Sequence, residues 1–358
     1  MKTTSSRQSR REFLASVTAV VAANSGLPVV AAPARTFGIA YTSFPIRIRQ
    51  ASQAGTNASL SAEKMIEVCH AFGGSGCQMD LARVTSTDAD FLKRIRALLE
   101  AKGMFLELAV SARTLGDPEA LSSAAATAKQ LGVSRLRTAM LSGRRYEDFS
   151  EMQKWKEFVS RSEQIIKQAE PTLRKNQLLL GIENHKDWLA DELVEILRRA
   201  SSPFVGACVD FGNNMALLED SVELARKLAP YAVTTHLKDM AVRRYDQGFE
   251  LSEVPLGEGI VPLGKIIDIL RQARSDIHFC LEMITRDPLK VPYRDDRYWA
   301  TFERRDQDRI QRFEASTLTR ESSKPLPRIS GLEATQMLKA EDDNIRLSAA
   351  HAKGTLGL

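Results

Sequence analysis

From residue 37 to residue 283 the chain alternates between two hydrophobic rhythms. Short, nearly continuous apolar runs at 37–42, 77–82, 105–110, 135–140, 178–183, 205–210, 232–236 and 277–282 are too brief for helices and read as eight strands. Between them, at 62–72, 89–102, 118–131, 155–167, 191–200, 222–228 and 263–273, apolar residues recur every three or four positions, the period of a helix with one buried face. Local chemistry marks several boundaries. Gly103 and Gly132 stand just past predicted helix ends, where a left-handed residue closes the last turn. Asp117-Pro118 places a capping side chain and then a proline at a helix start.

Strands that alternate with helices pair in parallel, with the helices covering the sheet. Eight such units in about 250 residues predict an α/β fold, a (β/α)8 TIM barrel. The competing architecture, an open doubly wound sheet, lacks support because no G-x-G-x-x-G follows the first strand. Beyond residue 286 the pattern changes. An aromatic-rich segment at 290–302 carries Pro292, Tyr293, Tyr298, Trp299 and Phe302, and the charged remainder has weak helical patterns near Ile310 and over 337–347. The expected organisation is a signal at 1–34, a barrel at 35–290 and a C-terminal extension at 291–358 that packs on the barrel or on a partner subunit.

The first residues change the reading of charge. Ser9-Arg10-Arg11-Glu12-Phe13-Leu14, the apolar run 15–23 and Ala32-Pro33-Ala34 have the order of a cleavable export signal. The paired arginines resemble the twin-arginine type, which implies a periplasmic or secreted protein. Lys2, Arg7, Arg10, Arg11 and Glu12 account for +3 of the formal +5, so the processed chain carries about +2. That is too little to argue for a nucleic-acid partner. No other segment is long and apolar enough to span a bilayer, so no stable membrane insertion is expected after signal cleavage. The four cysteines, Cys69, Cys77, Cys208 and Cys280, show neither paired nor zinc-finger spacing and read as buried thiols.

The chemistry gathers where the later strands end. The fifth closes on Glu183-Asn184-His185, the sixth on Asp210-Phe211-Gly212-Asn213, the seventh on His236-Leu237-Lys238-Asp239 and the eighth on Glu282. In a barrel the C-terminal ends of the strands share one face, where such folds place their active sites. Three carboxylates and one imidazole on four adjacent strands can surround a divalent cation. A shell rich in oxygen favours Mn2+, with Mg2+, Co2+ or Zn2+ as other fits. The expected test is Asp210→Ala, which loses bound metal while remaining folded.

These runs, together with Pro255-Leu256-Gly257-Glu258-Gly259, resemble the sugar phosphate isomerase/epimerase family of xylose-isomerase-like barrels, which includes ketose 3-epimerases. Tyr298-Trp299-Ala300-Thr301-Phe302 and 343–358 are similar to its exported, twin-arginine members. The resemblance implies metal ligation by Glu183, Asp210, His236 and Glu282. It also implies that Glu183 and Glu282 are the catalytic pair, exchanging a proton with the substrate carbon from opposite faces. A metal on a carbonyl and the neighbouring hydroxyl stabilises the enediolate so formed. His185 is either a substrate contact or a rim residue. Asn213 is assigned to substrate binding, at a place where ketose 3-epimerases carry a histidine. Lys238 either contacts substrate or pairs with Asp239 on the surface. Arg243 and Arg286 are offered as anion contacts or as solvated loop residues.

The expected function is a metal-dependent isomerase or epimerase of a non-phosphorylated sugar or keto-sugar, since no glycine-rich phosphate loop is visible. A lyase acting on a 3-keto-glycoside would share the metal, the base and the first step. A multi-zinc nuclease needs more histidines than His70, His185, His236, His278 and His351 supply. A non-catalytic sugar-binding barrel would have no need of all four ligands. The small-molecule partner is thus a carbohydrate. A homo-oligomer is also expected, because the aromatic segment needs something to pack on.

Overall fold

The computed structural model describes residues 36–53 and 61–358. The segment 1–34, read above as an export signal, lies outside the described residues.

Eight parallel strands form a closed ring. They are β1 (Phe37–Ala40), β2 (Gly76–Asp80), β3 (Phe105–Ala109), β4 (Arg135–Thr138), β5 (Leu179–Glu183), β6 (Val205–Asp210), β7 (Ala232–Leu237) and β10 (Phe279–Leu281). The ring closes where Phe37 of β1 pairs with Phe279 of β10. Twelve helices are described: α1 (Pro45–Gln53), α2 (Ala62–Ala71), α3 (Ala89–Lys102), α4 (Ala112–Leu115), α5 (Pro118–Leu131), α6 (Arg145–Asp148), α7 (Met152–Asn176), α8 (Ala190–Ala200), α9 (Ser221–Leu228), α10 (Leu263–Ala273), α11 (Gln307–Ser316) and α12 (Ala334–Gly354). The fold is the expected TIM barrel, with further helices after it.

The predicted punctuation operates as chemistry. Asp88, Asp117 and Asp220 accept the first free N–H groups of α3, α5 and α9. Gly103 (φ +59°) and Gly132 (φ +73°) close α3 and α5 in the left-handed region. Helix α7 runs well past residue 167, because Ala169 and Leu173 extend its buried stripe while Pro171 faces solvent. All four cysteines are buried free thiols.

Two parts of the architecture were not expected. Between β7 and β10 the chain makes an antiparallel hairpin, β8 (Asp239–Tyr245) and β9 (Gly248–Val254), which β11 (Leu289–Val291) extends to three strands. Its charged residues (Arg243, Arg244, Glu250 and Glu253) conceal it from an apolar-run criterion. Helix α1 has little apolar character and is held instead by α12. Glu341 accepts the N–H groups of Ile46 (2.7 Å) and Arg47 (3.0 Å), and Asp342 pairs with Arg47.

The aromatic segment is covered within its own chain, so it gives no reason to invoke a partner subunit. Tyr298 donates to Ala216 O (2.9 Å) and its ring meets Tyr146. The buried Arg145 guanidinium lies 3.9 Å from the ring centre of Trp155 and 4.1 Å from that of Phe302, and donates to Thr301 O at 2.6 Å. No described helix is long and apolar enough to cross a membrane.

Candidate metal centre

The ends of β5, β6, β7 and β10 bring Glu183, Asp210, His236 and Glu282 together, all buried. One donor atom from each lies within 4.8 Å of the others. His236 Nδ1 stands at the centre, 3.4 Å from Glu183 Oε1, 3.7 Å from Asp210 Oδ2 and 3.3 Å from Glu282 Oε1. Cys208 also approaches Glu183 and His236, and burial pushes its thiol well above the usual range.

Local structure fixes each donor. Asn184, next after Glu183, accepts from Asp210 N (2.9 Å) and donates to Asp210 O (3.0 Å), which pins β5 to β6. Asp210 Oδ1 accepts from Gly212 N (2.9 Å) and Asn213 N (2.7 Å), which turns Oδ2 inward. His236 Nε2 meets Gln78 Oε1 at 2.7 Å, while Gln78 Nε2 donates to Glu107 Oε2 at 3.0 Å. A carboxylate only accepts, so the amide must aim its nitrogen at Glu107 and its oxygen at His236. His236 therefore carries a proton on Nε2, and Nδ1 is the atom presented to the cluster.

Three cations stand around this set. Arg137 donates to Glu183 Oε2, and Lys238 Nζ lies 2.5 Å from Glu282 Oε2 and 2.9 Å from Asp210 Oδ2. Asn213 donates to Glu183 Oε1 (2.9 Å) and accepts from both Lys238 (3.2 Å) and Lys186. Burial pushes the Glu183 carboxyl up, but Arg137 and then His236 outweigh it and hold it well below the carboxylate range. Burial acts likewise on Glu282, and His236 with Lys238 pull it well down. Burial also pushes His236 down, yet Glu282 and Glu183 raise it well above the usual imidazole value.

The donor set fits a divalent cation. His236 Nδ1 is buried without a hydrogen-bond partner and Asp210 Oδ2 is met only by the Lys238 ammonium, although both face the centre of the cluster. Buried polar atoms are nearly always satisfied, so an imidazole nitrogen left without a hydrogen bond among three carboxylates marks a place for a ligand. A cation there would displace the proton that three carboxylates draw onto His236.

Of the residues singled out from sequence, Glu183, Asp210, His236, Glu282, Asn213 and Lys238 converge. Lys238 is buried and pairs with Asp210 and Glu282, not with Asp239 on the surface. Asp239 instead accepts backbone N–H groups from Met240, Gly257, Gly259 and Val261. His185 lies just outside the set, with Nδ1 unpartnered and burial lowering its ring to about 4. Arg286 is held by Glu253. Sequence reasoning missed Arg137, Gln78, Glu107 and Lys186. The first three left only a faint signal, a polar residue within an otherwise buried strand.

The chain belongs to the xylose isomerase-like TIM barrel family, whose pattern it matches over residues 66–301. Among solved structures it resembles D-psicose 3-epimerase with D-tagatose from Clostridium cellulolyticum H10. The TM-score is 0.57 at 13% identity, covering 90% of this chain and 99% of that one. It also resembles a xylose isomerase-like TIM barrel protein from Mycobacterium smegmatis in complex with magnesium. There the TM-score is 0.53 at 15% identity, covering 78% of this chain and 97% of that one. The 3-oxo-isoapionate decarboxylase of Pectobacterium atrosepticum is 27% identical over 114 residues, 31% of this chain. That match spans 42% of the relative's length.

Proposed function

We propose that this protein is a metal-dependent isomerase or epimerase of a non-phosphorylated sugar or keto-sugar, working through an enediolate. The observation that carries the reading is the convergence of Glu183, Asp210, His236 and Glu282 around a His236 Nδ1 that has no hydrogen-bond partner. The ion, with Mn2+ preferred for its oxygen-rich surroundings, supplies the electrophile that acidifies a C–H bond beside a carbonyl. Glu183 and Glu282 flank the centre from β5 and β10 and are the two groups that remove and return the proton. Both are weak bases held by cations, Arg137 on one and Lys238 on the other. Neither takes a proton from carbon until that carbon has been acidified. Burial of the whole set keeps water away from the exchanging proton. The resemblance to D-psicose 3-epimerase supports the fold of this reading, and the export reading of 1–34 adds a non-phosphorylated extracytoplasmic substrate.

One observation favours a second reading, a 3-keto-glycoside lyase. Lys238 Nζ, 2.5 Å from Glu282 Oε2, sets an acid beside a base, the pairing that expulsion of an alkoxide requires. The two readings separate in one experiment. The chain without 1–34 is loaded with Mn2+, incubated in D2O with free ketoses and 3-keto-glycosides, freed of paramagnetic ion and followed by proton NMR. Deuterium beside the carbonyl with a new stereoisomer is the expected result; deuterium with release of the aglycone establishes the lyase. No exchange in a protein that holds metal by elemental analysis overturns both and leaves a sugar-binding barrel.

A further inference from the structure

Two lysines meet on one oxygen above the cluster. Lys238 and Lys186 both donate to Asn213 Oδ1. Lys238 is neutralised by Asp210 and Glu282. Lys186 is not: the Asn213 amide oxygen is its one hydrogen-bond acceptor, and among the described residues no carboxylate oxygen lies within 4.0 Å of its ammonium. The residue is only 3% exposed. An ammonium taken out of water and given a single neutral partner, shared with a second cation, is costly. Burial first, then Lys238 and Arg286, bring Lys186 down to about 8.

The loop after β5 is built to hold that ammonium there. Lys186 has φ +64°, in the left-handed region that a non-glycine residue enters only at a cost. The conformation is clamped from both sides and from below. Asp187 Oδ1 accepts the N–H groups of His185 (2.9 Å) and Trp188 (2.8 Å), and Lys186 O accepts from Arg145 N (3.1 Å). Strain kept in place by three hydrogen bonds, ending in an unpaired buried charge, points to something that the charge is meant to meet.

Charge balance gives the sign and class of that partner. Three carboxylates (Glu183, Asp210 and Glu282) face three cationic side chains (Arg137, Lys238 and Lys186). Arg286 and Glu253 cancel each other, so any divalent ion leaves the buried centre with two positive charges in excess, or one where Asp187, which burial pushes up to about 7, is ionised. A neutral ketose compensates none of this excess in the ground state, whereas a substrate with its own carboxylate compensates one charge on binding. We propose that the natural substrate is an anionic keto-sugar whose carboxylate is received by Lys186. This rests on the metal-dependent reading above and narrows its substrate class from sugars in general to sugar acids.

The test uses D-fructose and D-fructuronate, the same keto-sugar with a hydroxymethyl group or a carboxylate at carbon 6. Each is titrated calorimetrically into the Mn2+-loaded protein, with elemental analysis of bound metal beside it. Fructuronate is expected to bind at least about tenfold more tightly than fructose. Lys186→Met brings the two affinities within about twofold while bound metal stays at one per chain, and Lys186→Arg keeps part of the preference. Equal affinity in the unaltered protein, failure of fructuronate to bind, or a preference that survives Lys186→Met overturns the proposal. If Lys186→Met does not fold, the unaltered protein and Lys186→Arg still decide it. A protein that takes up no metal overturns the isomerase reading, and this inference with it; metal uptake without anion preference overturns this inference alone.

Discussion

Glu107 and Asp210 are both buried carboxylates facing the inside of one barrel, on β3 and β6, yet their surroundings are finished in opposite ways. Glu107 Oε1 meets His278 Nδ1 at 2.7 Å, and its Oε2 accepts from Gln78 (3.0 Å) and Thr234 (2.7 Å). Every oxygen has a partner. Asp210 spends Oδ1 on two backbone N–H groups and turns Oδ2, met only by the Lys238 ammonium, toward a His236 Nδ1 that has no hydrogen-bond partner. The same desolvation acts on both carboxylates, so burial does not separate a structural cluster from a functional one. Satisfaction does: the protein completes the first network by itself and leaves the second waiting for a ligand.

The sharpest break of this contrast is Glu107→Ala. It leaves Gln78, Thr234 and His278 without their shared acceptor and should destabilise the metal-free protein by about 3–5 kcal/mol in urea unfolding. A loss below about 1 kcal/mol would show that the network is not structural. Burial pushes Glu107 up, but His278 and Arg135 outweigh it and the carboxyl titrates below its ordinary value. Its contribution is thus present above the unfolded carboxylate pKa of about 4.3 and is lost as pH falls through the lower folded value. The variant should flatten that acid limb.

Next comes Asp210→Asn, chosen over alanine because the amide oxygen keeps the two backbone hydrogen bonds. Metal affinity should fall by about a hundredfold, while metal-free stability falls by less than for Glu107→Ala, because Lys238 loses Asp210 but keeps Glu282. Isothermal titration with Mn2+ and urea unfolding read the two halves; retained affinity would remove Asp210 from the ligand set. The smallest effect is expected at Gln78, which joins the two clusters. Gln78→Leu frees His236 to turn and to change tautomer, and should weaken Mn2+ binding by about 10-fold to 100-fold. If it leaves metal affinity unchanged and lowers only stability, Gln78 belongs wholly to the Glu107 side.

The ring of eight strands was legible because each strand is a separate apolar run with a helix behind it. The four donors were legible because each is the first ionisable residue after such a run. Gln78, Glu107 and Arg137 were harder, since a single polar residue inside an apolar run does not reveal which way it points or what it meets. Lys238 shows how the period of a strand would have helped. Residues 236 and 238 share a face while 239 takes the other, so Lys238 belongs with His236, and its sequence neighbour Asp239 does not. The hairpin of β8 and β9 and the short helix α1 were invisible for another reason. Their stability comes from pairing and from α12, contacts that local periodicity does not encode.

The way the barrel closes also bears on the order in which it can be made. β1 pairs with β10 through Phe37 and Phe279, and the N–H groups that open α1 wait for Glu341, 295 positions further along from Ile46. A ribosome therefore delivers the first strand long before its second neighbour exists, and the start of α1 long before α12. Contacts of such separation are slow to form and leave strand edges open in the meantime. The β1 edge and the start of α1 are thus the parts of the barrel with the longest wait.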